Sequence, residues 1–330
     1  MAARSASHRT VSANVLRMSN VVPLSGSQFE ISFGDYHASI ASVGASLRTL
    51  THAGRDLVVP FEADELRPKS RGVTLAPWPN RIDGGRYTFN GVDYELALTE
   101  PRRGNALHGL ACWLDFQQIE HEESFVTLAA EIVPQEGYPF RLLLRVRFEL
   151  GENGLTTTVT ASNIGTDAAP YGTAPHPYLV AGEGRVDDWI LELPATEVLT
   201  VTEDRLIPVE VVDVVSHAEG AFDFRVARGI GSVFIDHAFT SLLADDSGRA
   251  VVRVTTLDGS GVEMSWGDEL PWVQLHTADL PDAAISRLGL AVEPMTCPPD
   301  AFNSGVDLIV IEPGDSSSAS WIISSVNPEG

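Results

Sequence analysis

Short apolar runs cut by turn residues recur along almost the whole chain, and this punctuation constrains the fold more than any other feature. EISFGDYHASIAS, FVTLAAEIV, RLLLRVRFEL, LTTTVTASNI, VVRVTTL and ASWIISSV are rich in Val, Thr, Ile and Phe, and many alternate. A two-residue alternation sets one face of a strand on a core and the other toward water. GENG, NIGTDAAP, DDSGRA and LDGSG break the runs with turn-favouring residues. GENG and LDGSG read as hairpin connections. No capped amphipathic pattern longer than about ten residues stands out. Many short strands at intervals of roughly 8–12 residues call for a sandwich or barrel. No composition shift or fixed-period repeat divides the chain. The expectation is one large antiparallel β-domain over residues 21–330.

With 330 residues and 44% hydrophobic content, the chain has the apolar material for a large core. Its net charge of −23 disfavours nucleic acid and anionic membrane surfaces as partners. It also disfavours a strongly anionic substrate unless a local Arg pocket overrides the bulk field. Cys112 and Cys297 are the only cysteines, too few for a disulfide framework or a zinc ribbon, so a reducing cytoplasm is the default. No run approaches the ~18 apolar residues of a membrane span. Residues 1–20 carry Arg4, Arg9 and Arg17 but no acidic residue, and they lack the apolar core of a secretory signal. They read as a disordered extension or, with Met18 near their end, as an overcalled start.

In such a fold, chemistry has to come from strand ends and loops. The stretch PWPNRIDGGRYTFNGVDYEL, residues 77–96, sets Asn80 and Arg81 in front of a tight Gly84-Gly85 bend and reads as a turn-pinned hairpin. In NALHG, His108 precedes Gly109, which allows close approach of a ligand or another backbone; a lone His is more often a hydrogen-bonded structural residue. In TAPHPY, prolines flank His176 and bias it toward an extended conformation. That suits a rigidly presented proton donor or acceptor, and equally a proline-kinked edge strand. Asp236 in IDHAF sits among apolar neighbours, where a carboxylate facing inward needs hydrogen-bond partners such as sugar hydroxyls; a strand-end turn Asp reads the same way. LPWVQLHT alternates to put Trp272, Gln274 and His276 on one face. Trp over a sugar ring is one use of that face, and core packing is the commoner one. In LAVEPM, Glu293 ends an apolar strand stopped by Pro294. Partial desolvation there makes a better base near neutrality, although a Glu at a strand end is usually solvated. No G-x-S-x-G elbow, H-E-x-x-H, P-loop or G-x-G-x-x-G is present, and the His and Cys residues are too dispersed to spell a metal site.

Taken in order, Asn80-Arg81-Ile82, Asn105-x-Leu107-His108-Gly109, His176-Pro177-Tyr178, Asp236-x-x-Phe239 and Val292-Glu293-Pro294 resemble the aldose 1-epimerase (galactose mutarotase) family. EGYPF, FDFR, QLHT and IEPGDS add to the likeness, which spans most of residues 30–325. The resemblance implies a large antiparallel β-sandwich of the galactose-mutarotase type, a supersandwich with the sugar in an open cleft on one sheet. It implies no cofactor and no metal. By similarity Glu293 is the base, His176 the acid at the ring oxygen and His108 an assisting group. Arg81, Asp236 and Asn80 would bind ring hydroxyls, with Trp272 and His276 as wall residues. After His108-Gly109 the chain reads LACWLDF, without the glycine-rich continuation of the best-known galactose mutarotases, which points to a divergent bacterial-type branch.

The expected activity is interconversion of the α and β anomers of a free hexose, with a small-molecule sugar as the only partner and a monomer or homodimer as the working form. Two rivals stand beside it. One is a mutarotase of an anionic sugar, a hexose 6-phosphate or sulfonated hexose, with Arg71, Arg102 and Arg103 as candidate anchors. The other is a non-catalytic carbohydrate-binding protein.

Overall fold

The computed structural model describes residues 22–327, so the expectation for residues 1–20 lies outside the described residues. The punctuation of the sequence becomes antiparallel strands throughout, and the one α-helix among the described residues is the single turn Ala301–Ser304. The GENG hairpin joins Leu142–Gly151 to Gly154–Asn163, and the LDGSG hairpin joins Ala250–Thr255 to Gly261–Trp266. EISFGDYHASIAS, which reads as one run, folds as two strands, Gln28–Phe33 and Tyr36–Ala41. Gly34 takes a left-handed φ of 56° at the bend, a conformation open to glycine at no steric cost.

Two sheets dominate. The larger has nine strands, in the order Gln117–His121, Phe125–Ile132, Leu142–Gly151, Gly154–Asn163, Ser316–Val326, Gly261–Trp266, Ala250–Thr255, Ile190–Glu192 and Arg228–Gly229. The smaller has six: Tyr178–Leu179, Leu290–Met295, Trp272–His276, Asp236–Leu242, Ala195–Val201 and Pro208–Asp213. Their inner faces share one continuous apolar core: Val146, Val159, Val252 and Trp321 of the larger sheet lie in the same buried cluster as Val198, Phe239, Val273 and Val292 of the smaller. No helix among the described residues is long and apolar enough to cross a membrane.

Two local expectations need correction. Asn80 and Arg81 do not belong to the hairpin that follows them, which is formed by Arg86–Phe89 and Val92–Glu95. The short strand Arg81–Asp83 pairs instead with Asn105–Leu107, so two separate sequence motifs meet as one ladder. Pro294 does not stop its strand, because Leu290–Met295 continues through it. On the edge facing residues 173–177, Val292 N–H donates to Pro177 O and Thr296 N–H, just past the strand, donates to Thr173 O. Pro294 occupies the position between them, where no ladder bond to the Trp272–His276 strand is lost.

Candidate active site

At Leu290–Met295 and Trp272–His276 the smaller sheet is buried on both faces, His276 alone being half-buried. Alternation sends Val273, Leu275, Leu290 and Val292 into the shared core. It turns Trp272, Gln274, His276, Glu293 and Met295 the other way. Register then sets Glu293 opposite Gln274, and Asp236 opposite His276. Over this second face pack Val73, Leu75, Cys112 and Ala174, in a separate apolar cluster with Trp272, Ala238, Leu199 and Met295. The face is therefore screened from water, yet it carries two carboxylates, an amide and an imidazole.

His176 arrives from the side. Ala174-Pro175 pairs with Thr74-Leu75, Gly72 N–H donates to His176 O, and the 173–177 segment runs along the Leu290–Met295 strand. The prolines leave His176 little backbone freedom, and its Nε2 lies 3.4 Å from Glu293 Oε1. Both side chains are buried. Burial holds the Glu293 carboxyl well above the usual carboxylate range; neighbouring Asp236 pushes the same way and Arg81 opposes. Burial, aided by His276, pushes His176 down to about 3. Low dielectric favours the uncharged form of each, imidazole and carboxylic acid. Tyr178 stacks on the His176 ring at 5.1 Å and bonds through its hydroxyl to Lys69 O.

The ladder of Arg81–Asp83 and Asn105–Leu107 supplies the next group. Asn80 O accepts from His108 N–H, and both residues adopt left-handed φ, 53° and 65°. Left-handed φ outside glycine is a strained conformation of the kind that clusters at functional sites. Gly109 is required for a different reason: a Cβ there would meet Ala76 O at 2.2 Å. This close approach seats the His108 ring edge-on to His176 at 5.2 Å. Burial first, then the neighbouring His176 and Arg81, hold His108 well below the usual imidazole range. The Arg81 guanidinium is gripped by Glu100, Nε to Oε2 at 2.9 Å and Nη2 to Oε1 at 3.1 Å, while Nη1 donates to Asn80 Oδ1 at 3.2 Å.

Asp236 is half-buried and accepts from Gln274 Nε2 at 2.8 Å. His276 is likewise half-buried. Trp272 is buried, and its indole N–H donates to Asp307. Nine buried side-chain polar atoms among the described residues lack a protein partner, and five of them are His108 Nδ1, His176 Nδ1, Gln274 Oε1, His276 Nδ1 and Glu293 Oε2. Buried polar atoms are ordinarily paired, so this concentration makes the face the candidate site for a polar ligand. No group of three or more His, Cys, Asp or Glu among the described residues has a metal-holding arrangement.

All eight expected residues thus fall on or beside this face. Three neighbours were not among the site residues read from the sequence. Gln274 was legible in the alternation of LPWVQLHT, and Tyr178 sits within HPY. Glu100 carries no local signal, because its partner Arg81 is nineteen positions away. Trp78 is in the core against Phe302 at 5.7 Å. Trp113 is exposed, with the Arg67 guanidinium 4.5 Å from its ring centre.

Comparison with known proteins points the same way. Residues 27–324 match the family model described as aldose 1-epimerase. The Escherichia coli K12 protein YihR, itself uncharacterized, is 38% identical over 295 residues, 88% of this chain and 90% of that protein. The fold is shared with a GalM/aldose epimerase homologue from C. elegans, at a TM-score of 0.80 and 21% identity, covering 91% of this chain and 99% of that one. Galactose 1-epimerase from Lactobacillus acidophilus NCFM superposes at a TM-score of 0.73 with 18% identity over 90% and 93% of the two chains.

Proposed function

The chain belongs to the aldose 1-epimerase family, and on that premise we propose that it interconverts the α and β anomers of a free hexose. The observation that carries the reading is the buried His176–Glu293 pair, 3.4 Å apart, with its ionisation balance pushed toward neutrality. The anomeric oxygen and the ring oxygen of a pyranose share one carbon, so a base and an acid this close can serve both. Glu293 takes the proton of the C1 hydroxyl while His176 gives one to the ring oxygen, and the ring opens. Rotation about C1–C2 presents the other face of the aldehyde, and the two transfers reverse. The pair carries one proton in total before and after each step. Imidazolium with carboxylate serves the closed ring, and imidazole with carboxylic acid serves the open chain. The two forms differ by no net charge, which suits a site with little water. In this reading His108 bonds the same oxygen or a neighbouring hydroxyl, and Asp236 and Arg81 fix ring hydroxyls. The reaction so written draws on no cofactor.

An anionic hexose is a second reading, and Arg71 favours it. Its guanidinium bonds to Pro60 O, has no carboxylate at ion-pair distance among the described residues, and raises the local potential at Tyr178 beside His176. Arg103, by contrast, is drawn toward Glu100 at 3.8 Å. Polarimetry on freshly dissolved glucose, galactose, glucose 6-phosphate and a 6-sulfonated hexose tests both readings. Acceleration of neutral sugars supports the first, and a strong preference for the charged ones replaces it with the second. Binding without acceleration makes the protein a carbohydrate-binding module instead.

A further inference from the structure

The least accounted-for charge near the site is Glu100. Its carboxylate is mostly buried, and it faces two arginines and an amide rather than water. Besides the two-point grip on Arg81, Oε2 accepts from Asn105 Nδ2 at 3.2 Å, and Arg103 Nε approaches Oε1 at 3.8 Å. The backbone of Glu100 is held as firmly: its N–H donates to Asn105 O, and its carbonyl accepts from Arg103 and Gly104. Asn105 is itself fully buried and tied to Arg205, from the turn between Ala195–Val201 and Pro208–Asp213. The carboxylate therefore cannot swing away from Arg81 without breaking a network that spans a hundred residues of sequence.

A guanidinium has five N–H groups in one plane. Glu100 takes two and Asn80 takes one, which leaves two, one on each Nη. With Nε and Nη2 locked by a planar carboxylate, the direction of those two N–H groups is set by Glu100 rather than by the flexible Arg stem. We infer that Glu100 is a positioning residue of the sugar site, acting through Arg81 by fixing the plane of its guanidinium and balancing its charge. The inference rests on the mutarotase reading and names a residue that neither the sequence motifs nor the proton-transfer chemistry includes.

The charge-balancing half has its own consequence. Glu293 is faced by His176 from the 173–177 segment, Asp236 from Asp236–Leu242, Tyr178 from the sheet edge and Arg81 from Arg81–Asp83, with His276 beyond it near His176. Arg81 favours the ionised carboxylate, and Glu100 offsets that cation. Removing the Glu100 charge strengthens the pull of Arg81 on Glu293.

The test is steady-state mutarotation of the best sugar across pH for wild type, Glu100→Gln, Glu100→Asp, Arg81→Ala and the double variant Arg81→Ala/Glu100→Gln. Glu100→Gln is expected to raise KM about tenfold with kcat within about twofold, and to move the acid limb of kcat/KM to lower pH. Glu100→Asp keeps the charge but cannot reach both nitrogens, so it should raise KM and leave the acid limb in place. In the Arg81→Ala background Glu100→Gln should add nothing, since the effect travels through Arg81. A wild-type KM and acid limb in Glu100→Gln, or an equal loss with and without Arg81, overturns the inference. Nitrogen-15 NMR of the Arg81 Nε–H is a readout independent of turnover. A slowly exchanging signal in wild type that is lost in Glu100→Gln supports the grip, and an unchanged signal refutes it. Should wild type accelerate no sugar, the mutarotase reading fails while this signal still tests the grip.

Discussion

The two sheets use the same antiparallel pairing for opposite ends. In the nine-stranded sheet, Leu142–Gly151 and Gly154–Asn163 alternate buried with exposed or half-buried residues, as a sheet with one wet face must. Its outer face is furnished with hydroxyls, Thr160 to Ser318 at 2.8 Å and Ser162 to Ser316 at 2.7 Å. In the six-stranded sheet, Leu290–Met295 is buried at every position and Trp272–His276 at all but its last. Its outer face holds Glu293, Gln274, Asp236 and His276, groups that lose hydration when covered. Polar groups on a wet face are satisfied by water. On a covered face Gln274 Oε1, His276 Nδ1 and Glu293 Oε2 are left without a protein partner, and burial raises the proton affinity of Glu293. The larger sheet keeps one face in water, and in the reading proposed above the smaller one turns its covered face to sugar binding.

Variants on the two sheets should separate accordingly. Leu144→Ala, in the core of the larger sheet, should lower unfolding free energy by about 2–5 kcal/mol in denaturant titrations while leaving kcat/KM near wild type. A matching loss of turnover in the folded variant would dissolve the division of labour. Glu293→Gln and His176→Asn should each lower kcat at least about a hundredfold, equivalent to about 2.7 kcal/mol of barrier, with far smaller effects on stability. Near-normal turnover removes the residue from the proton-transfer pair. Asp236→Ala should lower kcat/KM about tenfold through lost orientation, and unchanged kinetics would place it outside the site.

The pH dependence of stability sharpens the contrast further. With His176 pushed down to about 3, the unfolded chain binds a proton that the native chain refuses between the ordinary imidazole value and about 3. Stability therefore falls as pH drops through that window. Glu293 acts in the opposite sense: its folded carboxyl keeps a proton that the unfolded one releases, so its contribution is lost as pH rises above the ordinary carboxylate value. His176→Asn should flatten the acid limb in denaturant midpoints measured from pH 7 to pH 4, while an unaltered slope would mean that His176 is solvated. The smallest effect belongs to the larger sheet's outer face. There, Thr160→Val should shift stability by no more than about 0.5 kcal/mol and leave the acid limb alone.

The strand-rich fold was legible because side-chain alternation and turn chemistry are local. The FVTLAAEIV, RLLLRVRFEL and LTTTVTASNI runs became adjacent strands, and the turns between the last two fell where Gly and Asn allowed. The family motifs pointed to the residues that now surround His176 and Glu293. Gln274 could be placed on its face by counting in twos. What counting could not reach is pairing at a distance. That Arg81–Asp83 joins Asn105–Leu107, that Glu100 grips Arg81, and that Pro294 rides inside a strand all depend on which segments meet across the sheet. The change in character of Glu293 is of the same kind. Its position in LAVEPM is local information, but its raised proton affinity comes from burial beneath segments more than a hundred residues away. Desolvation is a property of what covers a group, and only the tertiary structure decides what covers it.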